Sequence, residues 1–173
     1  VSTVMESGEI EITDTVVNEG FDISPVMILY HINLGFPLIS DSAEIVAKKH
    51  PVVPRDETAA AASATWNRLL APQKGFKEQC YYHDIPEEKD GYAKIAVSNP
   101  ALGLVFEISY RKKELPFLTQ WKMMGEGAYV LGLEPANCHV EGQKREREHY
   151  KTLKELKPGE SVEFSVKMKV FPK

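Results

Sequence analysis

Three side chains of this 173-residue chain combine a proton-transferring type with a strand-like setting: Glu134, His31 and Asp84. Glu134 follows the apolar run Tyr129-Val130-Leu131-Gly132-Leu133, which is short, is preceded by Gly125 and Gly127, and suits a strand buried on both faces better than a helix. Pro135 has no N–H to donate and restricts the residue before it, so the ladder is expected to stop there with Glu134 in extended geometry at the strand end. From these residues alone, Glu134 is either an exposed glutamate or a carboxylate aimed at a pocket. A carboxylate and an imidazole that meet at one ligand work as general base and general acid, each contributing roughly 10²–10⁴-fold to a rate.

The elements that must position these groups are strands. Val26 to Gly35 reads as one long strand, with His31, Asn33 and Gly35 on one face and Tyr30, Ile32 and Leu34 on the other. A histidine in such a run is either a satisfied core residue or part of a pocket wall, and the polar neighbour Asn33 on its face favours the wall. Glu78 to Ile85 reads as a further strand ending at Pro86, with Tyr82 and Asp84 on one face and His83 on the other. For Asp84 and His83 the competing reading is a polar strand end near a turn. Asp56 to Leu70, alanine-rich with Asp56 as N-cap and Pro72 as stop, is the one convincing helix, and Arg55 stands at its start. Trp121 suits either a stacking surface for a ligand or ordinary core.

Elsewhere Ser7 to Asn18 and Ser161 to Phe171 alternate polar and apolar residues, and Gly91–Ser98 and Gly103–Tyr110 form a hairpin pattern. Glu141 to Lys151 mixes both charges densely and reads as a solvated loop or short helix. Many strands with turn signals between them, one helix and no strand–helix alternation predict an all-β sandwich in a single domain. Composition is that of an ordinary globular protein, 43% hydrophobic and 27% charged with net charge −4, so no nucleic-acid partner is implied. No apolar run approaches the roughly 20 residues a spanning helix needs, which gives no membrane expectation. Cys80 and Cys138 are too few for a disulfide framework and lack metal-ligand spacing, so no metal is expected and a reducing, cytoplasmic setting is the default.

The segment Trp121 to Asn137, with Tyr-His-Ile-Asn-Leu-Gly at 30–35 and Tyr-Tyr-His-Asp at 81–84, resembles the aldose 1-epimerase (galactose mutarotase) superfamily, in particular its epimerase-like branch. The resemblance implies a mutarotase-like β-supersandwich and a cofactor-free isomerase in which a base takes the proton of the anomeric hydroxyl while an acid protonates the ring oxygen. It implies Glu134 as base and His31 as acid, with Asp84, His83, Asn33, Trp121 and Arg55 contacting a monosaccharide or sugar derivative. Fewer residues separate His31 from Asn33-Leu34 than in the better-known galactose enzymes, which displaces the histidine along its strand. A catalytically silent carbohydrate-binding module is the alternative, and a purely structural sandwich a third. Family members are longer, and the match lies in their C-terminal half. Residues 1–173 are therefore expected to be a fragment lacking the N-terminal half, with an apolar or unpaired edge near Val26 to Leu34 that pairs with that portion or with a second copy.

Overall fold

A computed structural model describes residues 1–173. The alternating segments become strands: β1 (Ser2–Thr3), β2 (Glu9–Val17), β3 (Ser24–Val26), β4 (Ile32–Leu34), β5 (Glu44–Ala47), β6 (Val52–Pro54) and β7 (Gln79–His83). They continue as β8 (Tyr92–Asn99), β9 (Leu104–Arg111), β10 (Phe117–Gly125), β11 (Ala128–Ala136), β12 (Lys154–Leu156) and β13 (Ser161–Pro172). A six-stranded antiparallel sheet has the order β1-β2-β13-β9-β8-β5, and a five-stranded one the order β4-β11-β10-β7-β6. β12 and β3 form a separate two-stranded ribbon. The fold is an all-β sandwich, as the spacing of strands and turns predicts, and the resemblance implies its mutarotase-like form.

One core joins the two large sheets. Ile95, Val97, Ile108, Tyr110, Phe164 and Val166 come from the first, and Leu34, Leu118, Met124, Leu131 and Leu133 from the second. Because successive side chains alternate, burying Leu118, Leu131 and Leu133 turns Thr119, Trp121, Gly132 and Glu134 to the far face of the five-stranded sheet. Register arranges that face in two rows. Asn33, Gly132, Trp121 and Cys80 stand opposite one another across four strands. Glu134, Thr119, Tyr82 and Val53 form the second row. The two-residue turn joining β10 to β11 places Gly127 at φ 80°, a left-handed backbone that glycine adopts without a Cβ clash.

Four local expectations are corrected. β11 runs through Glu134 and Pro135 to Ala136, so the proline does not end the strand. It acts on the neighbouring chain: the Tyr30 N–H donates to the Pro135 carbonyl (3.0 Å), but Pro135 has no N–H to return, and the Tyr30 carbonyl accepts from Ile32 N–H instead (3.1 Å). Val26 to Gly35 is therefore not one strand, although the register of Leu29 with Ala136 and of Ile32 with Leu133 continues across the break and sets His31 opposite Glu134. Its apolar side chains Val26 and Leu34 are buried, while β4 does lie at a sheet edge.

The predicted helix shrinks to α1 (Glu57–Ala61), capped by the Asp56 side chain accepting from the Ala59 N–H. Ser63 and Thr65 hydroxyls turn back to the Ala59 and Ala62 carbonyls, and Asn67 and Arg68 are drawn to β5, where Ile45 N–H donates to the Asn67 carbonyl (2.8 Å). Tertiary pairing overrides the helical preference of the run. The loop this creates lies over the inner face of β10, where Gln120 donates to the Trp66 carbonyl and buried Lys122 to the Thr65 carbonyl.

The charged run 141–151 is not wholly solvated. Glu146 is 1% exposed and accepts from the His139 N–H and the Thr152 hydroxyl, with the His139 ring 3.2 Å away. The His139 ring stacks on Tyr150 and packs against Tyr82 and Phe117, clasping this segment to the sheet.

Candidate active site

The far face of the five-stranded sheet carries a cleft of about 230 Å³. Its polar lining is His31, Arg55, Glu78, Thr119, Trp121 and Glu134, and Leu29, Cys80 and Val140 close its walls. His31 Nε2 stands 3.0 Å from Glu134 Oε1, the histidine side chain 49% exposed and the glutamate 4%. The contact is not aligned as a hydrogen bond, which leaves Oε1 buried without a donor. Glu134 thus forms the floor, His31 the rim, and both have capacity left for a ligand.

Burial disfavours the charged carboxylate and raises the Glu134 pKa above its ordinary 4.5, while the nearby His31 partly opposes this. Burial likewise pushes the Cys80 thiol up to about 11, with Arg55 working against the shift and Glu134 adding to it. Cys80 is a neutral wall residue, not a thiolate nucleophile.

Trp121 meets the His31 ring edge-on, with centroids 5.9 Å apart. Its indole N–H donates to Glu78 Oε2 (2.8 Å), and Arg55 donates to Glu78 Oε1 (2.8 Å) and Asp56 Oδ2 (3.2 Å). This chain from Trp121 through Glu78 to Arg55 fixes the indole and makes one wall an ordered array of donors and acceptors. The Arg55 hydrogen bond, followed by that from Trp121, holds the Glu78 carboxyl below its ordinary range, so Glu78 stays ionised.

Of the residues singled out from sequence, the structure brings together His31, Glu134, Trp121 and Arg55. It separates three others. Asp84 lies beyond the end of β7, 77% exposed, and takes a hydrogen bond from Lys112 Nζ (2.6 Å); alternation with Tyr82 stops when the strand does. His83 points to the opposite, inner face, with Nδ1 2.8 Å from His50 Nε2 and Nε2 3.0 Å from Gln120 Oε1. Because the Gln120 amide group donates to the Trp66 carbonyl, its Oε1 faces His83 and accepts from the Nε2–H. Asn33 shares the cleft face opposite Gly132 but is exposed outside the lining.

Sequence reasoning missed Thr119 and Glu78. Thr119 stands opposite Glu134, is 1% exposed, and its hydroxyl has no partner. Its spacing of two from Trp121 was the available signal, since both must share a face. Nothing in the sequence marked Glu78. No three His, Cys, Asp or Glu side chains converge as a metal-binding group. No helix is long and apolar enough to cross a membrane. A second hollow of about 190 Å³ beside Glu88, Lys94 and Glu107 offers less chemistry, because Lys94 is already closed on Glu88 at 2.9 Å.

Comparison with known proteins gives a family and a fold. The model of the family described as Domain of unknown function (DUF4432) matches residues 1–170. A comparison with curated proteins found no match. Among solved structures, a Klebsiella pneumoniae protein provisionally identified as an aldose 1-epimerase is 26% identical with a TM-score of 0.93, over 99% of this chain and 45% of that one. A galactose mutarotase related enzyme from Lactobacillus acidophilus is 14% identical with a TM-score of 0.66, over 95% of this chain and 58% of its own. A galactose mutarotase-like protein from Clostridium acetobutylicum is 15% identical with a TM-score of 0.63, over 94% and 52%. The chain spans about half the length of these structures. It belongs to the DUF4432 family and, by its fold and its likeness to the Klebsiella protein, to the aldose 1-epimerase (galactose mutarotase) superfamily.

Proposed function

We propose that the cleft binds a monosaccharide or sugar derivative and that the protein carrying this chain interconverts its anomers, with Glu134 as general base and His31 as general acid. The observation that carries this reading is the 3.0 Å approach of an exposed imidazole to a buried carboxylate whose Oε1 has no hydrogen-bond donor. A carboxylate raised by burial is a better proton acceptor than an exposed one. Glu134 takes the proton of the anomeric hydroxyl while His31 gives one to the ring oxygen, and the ring bond breaks. Rotation about the bond from the anomeric carbon to its neighbour presents the other carbonyl face. Ring closure then returns a proton from Glu134 to the new hydroxyl and one from the ring oxygen to His31, so both residues regain their starting states.

Trp121, held by Glu78, supports this as an aromatic surface for the C–H face of a sugar ring. Arg55, already paired with Glu78 and Asp56, offers its remaining donors to hydroxyls. The likeness to the Klebsiella pneumoniae protein provisionally identified as an aldose 1-epimerase supports this chemistry. Freshly dissolved single-anomer sugars, followed by polarimetry with and without the protein, test the proposal. Accelerated mutarotation of at least one aldose is expected; binding without acceleration would leave a carbohydrate-binding module, and neither would remove the sugar reading.

A further inference from the structure

The Glu134 carboxylate lies where a side chain at position 132 would be. A Cβ at Gly132 would stand 2.5 Å from Glu134 Oε1, 3.3 Å from Trp121 Cβ and 3.4 Å from His31 Cε1. No backbone need explains the glycine: Gly132 is a paired mid-strand residue and is not among the glycines with positive φ. Residues two apart on one strand face are separated by roughly 7 Å of chain, so Glu134 reaches this point only by folding back over its neighbour. Any side chain at 132 would fill the corner shared by Glu134, Trp121 and His31.

We propose that Gly132 is a positioning residue of the acid–base pair: the empty space above it seats the Glu134 carboxylate against His31 and beneath the ligand. This rests on the mutarotase reading for its catalytic consequence, although the seating itself does not. At under 3.0 Å from backbone-anchored Cβ, the carboxylate is the mobile party and must swing away. Trp121 and His31, at 3.3 and 3.4 Å, need yield only tenths of an ångström.

Gly132→Ala is the test. Folding and thermal stability are expected to stay near the parent, since the strand gains a residue with ordinary backbone preferences. Anomerisation, as kcat/KM, is expected to fall at least about tenfold because a displaced base loses its geometry. The acid limb of the kcat profile is expected to move to higher pH, as Glu134 loses the opposing effect of His31. Carbon NMR of glutamate-labelled protein reads the same Glu134 shift without turnover, so the seating is decided even if no sugar is turned over. An unchanged carboxyl titration together with near-parent activity would overturn the proposal. Where Gly132→Ala alone fails to fold, Gly132→Ala with Glu134→Ala removes the conflicting carboxylate. Recovery of folding then supports the seating, and failure assigns the conflict to another neighbour and overturns it.

Discussion

Replacing Thr119 by valine should make the protein more stable and its ligand weaker, two effects that a structural threonine could not produce together. The hydroxyl is buried without a partner in a residue 1% exposed, opposite Glu134. A buried polar group left unpaired costs about 1–3 kcal/mol. Valine keeps nearly the same shape, so a gain of about 1 kcal/mol is expected, which for a domain of this size raises Tm by roughly 2–4 °C. A bound sugar hydroxyl that pairs with Thr119 loses one hydrogen bond in the variant, about 0.5–1.5 kcal/mol or roughly two- to tenfold in Kd. Scanning calorimetry and isothermal titration with the preferred sugar read the two quantities separately. A Tm lowered by more than roughly 2 °C would show that the hydroxyl holds the fold. An unchanged Kd would show that the ligand does not reach it.

Two further outcomes follow from buried titratable groups on the inner face. Burial, and then His50, push the His83 imidazole down to about 3 from 6.5, so below pH 6.5 the unfolded chain binds a proton that the folded chain refuses. Unfolding free energy from urea titrations should therefore drop on acidification from pH 6.5 towards 3 by up to about 1.4 kcal/mol per pH unit, and His83→Gln should remove that share of the slope. Lys122, whose one partner is the Thr65 carbonyl, is pushed down to about 8 by burial. Lys122→Met should raise stability at neutral pH by about 1–2 kcal/mol, as expected when a poorly compensated buried cation gives way to an apolar chain; a loss instead would mean that its bond to the Thr65 carbonyl organises the loop over β10.

What the sequence made legible was set by local rules, and what it hid was set by neighbours. The alternation in β2 and β13 and the hairpin of β8 and β9 depend on residues close in the chain, and those elements form where expected. Glu134 was placed for a partly mistaken reason: Pro135 shapes the adjacent chain at Tyr30 without ending β11. That His31 stands opposite Glu134 depends on a register spanning about a hundred residues, which no local pattern contains. Asp84 was misplaced because alternation holds only while a strand continues, and β7 ends at His83. The run after α1 lost its helix to β5, a partner invisible in its own sequence. Glu78 and the His139–Glu146 clasp escaped notice for the same reason, each being defined by residues from other strands or loops.

The central claim concerns the Glu134 carboxylate, and the most direct measurement is anomer exchange of an equilibrated aldose by magnetisation-transfer NMR, comparing the parent with Glu134→Gln. The substitution keeps volume and hydrogen-bonding capacity but cannot accept the proton. Exchange catalysed by the parent and lowered at least about tenfold in the variant, with sugar affinity largely retained, is the predicted result. Equal exchange rates in the two proteins would contradict the account and move the base away from Glu134.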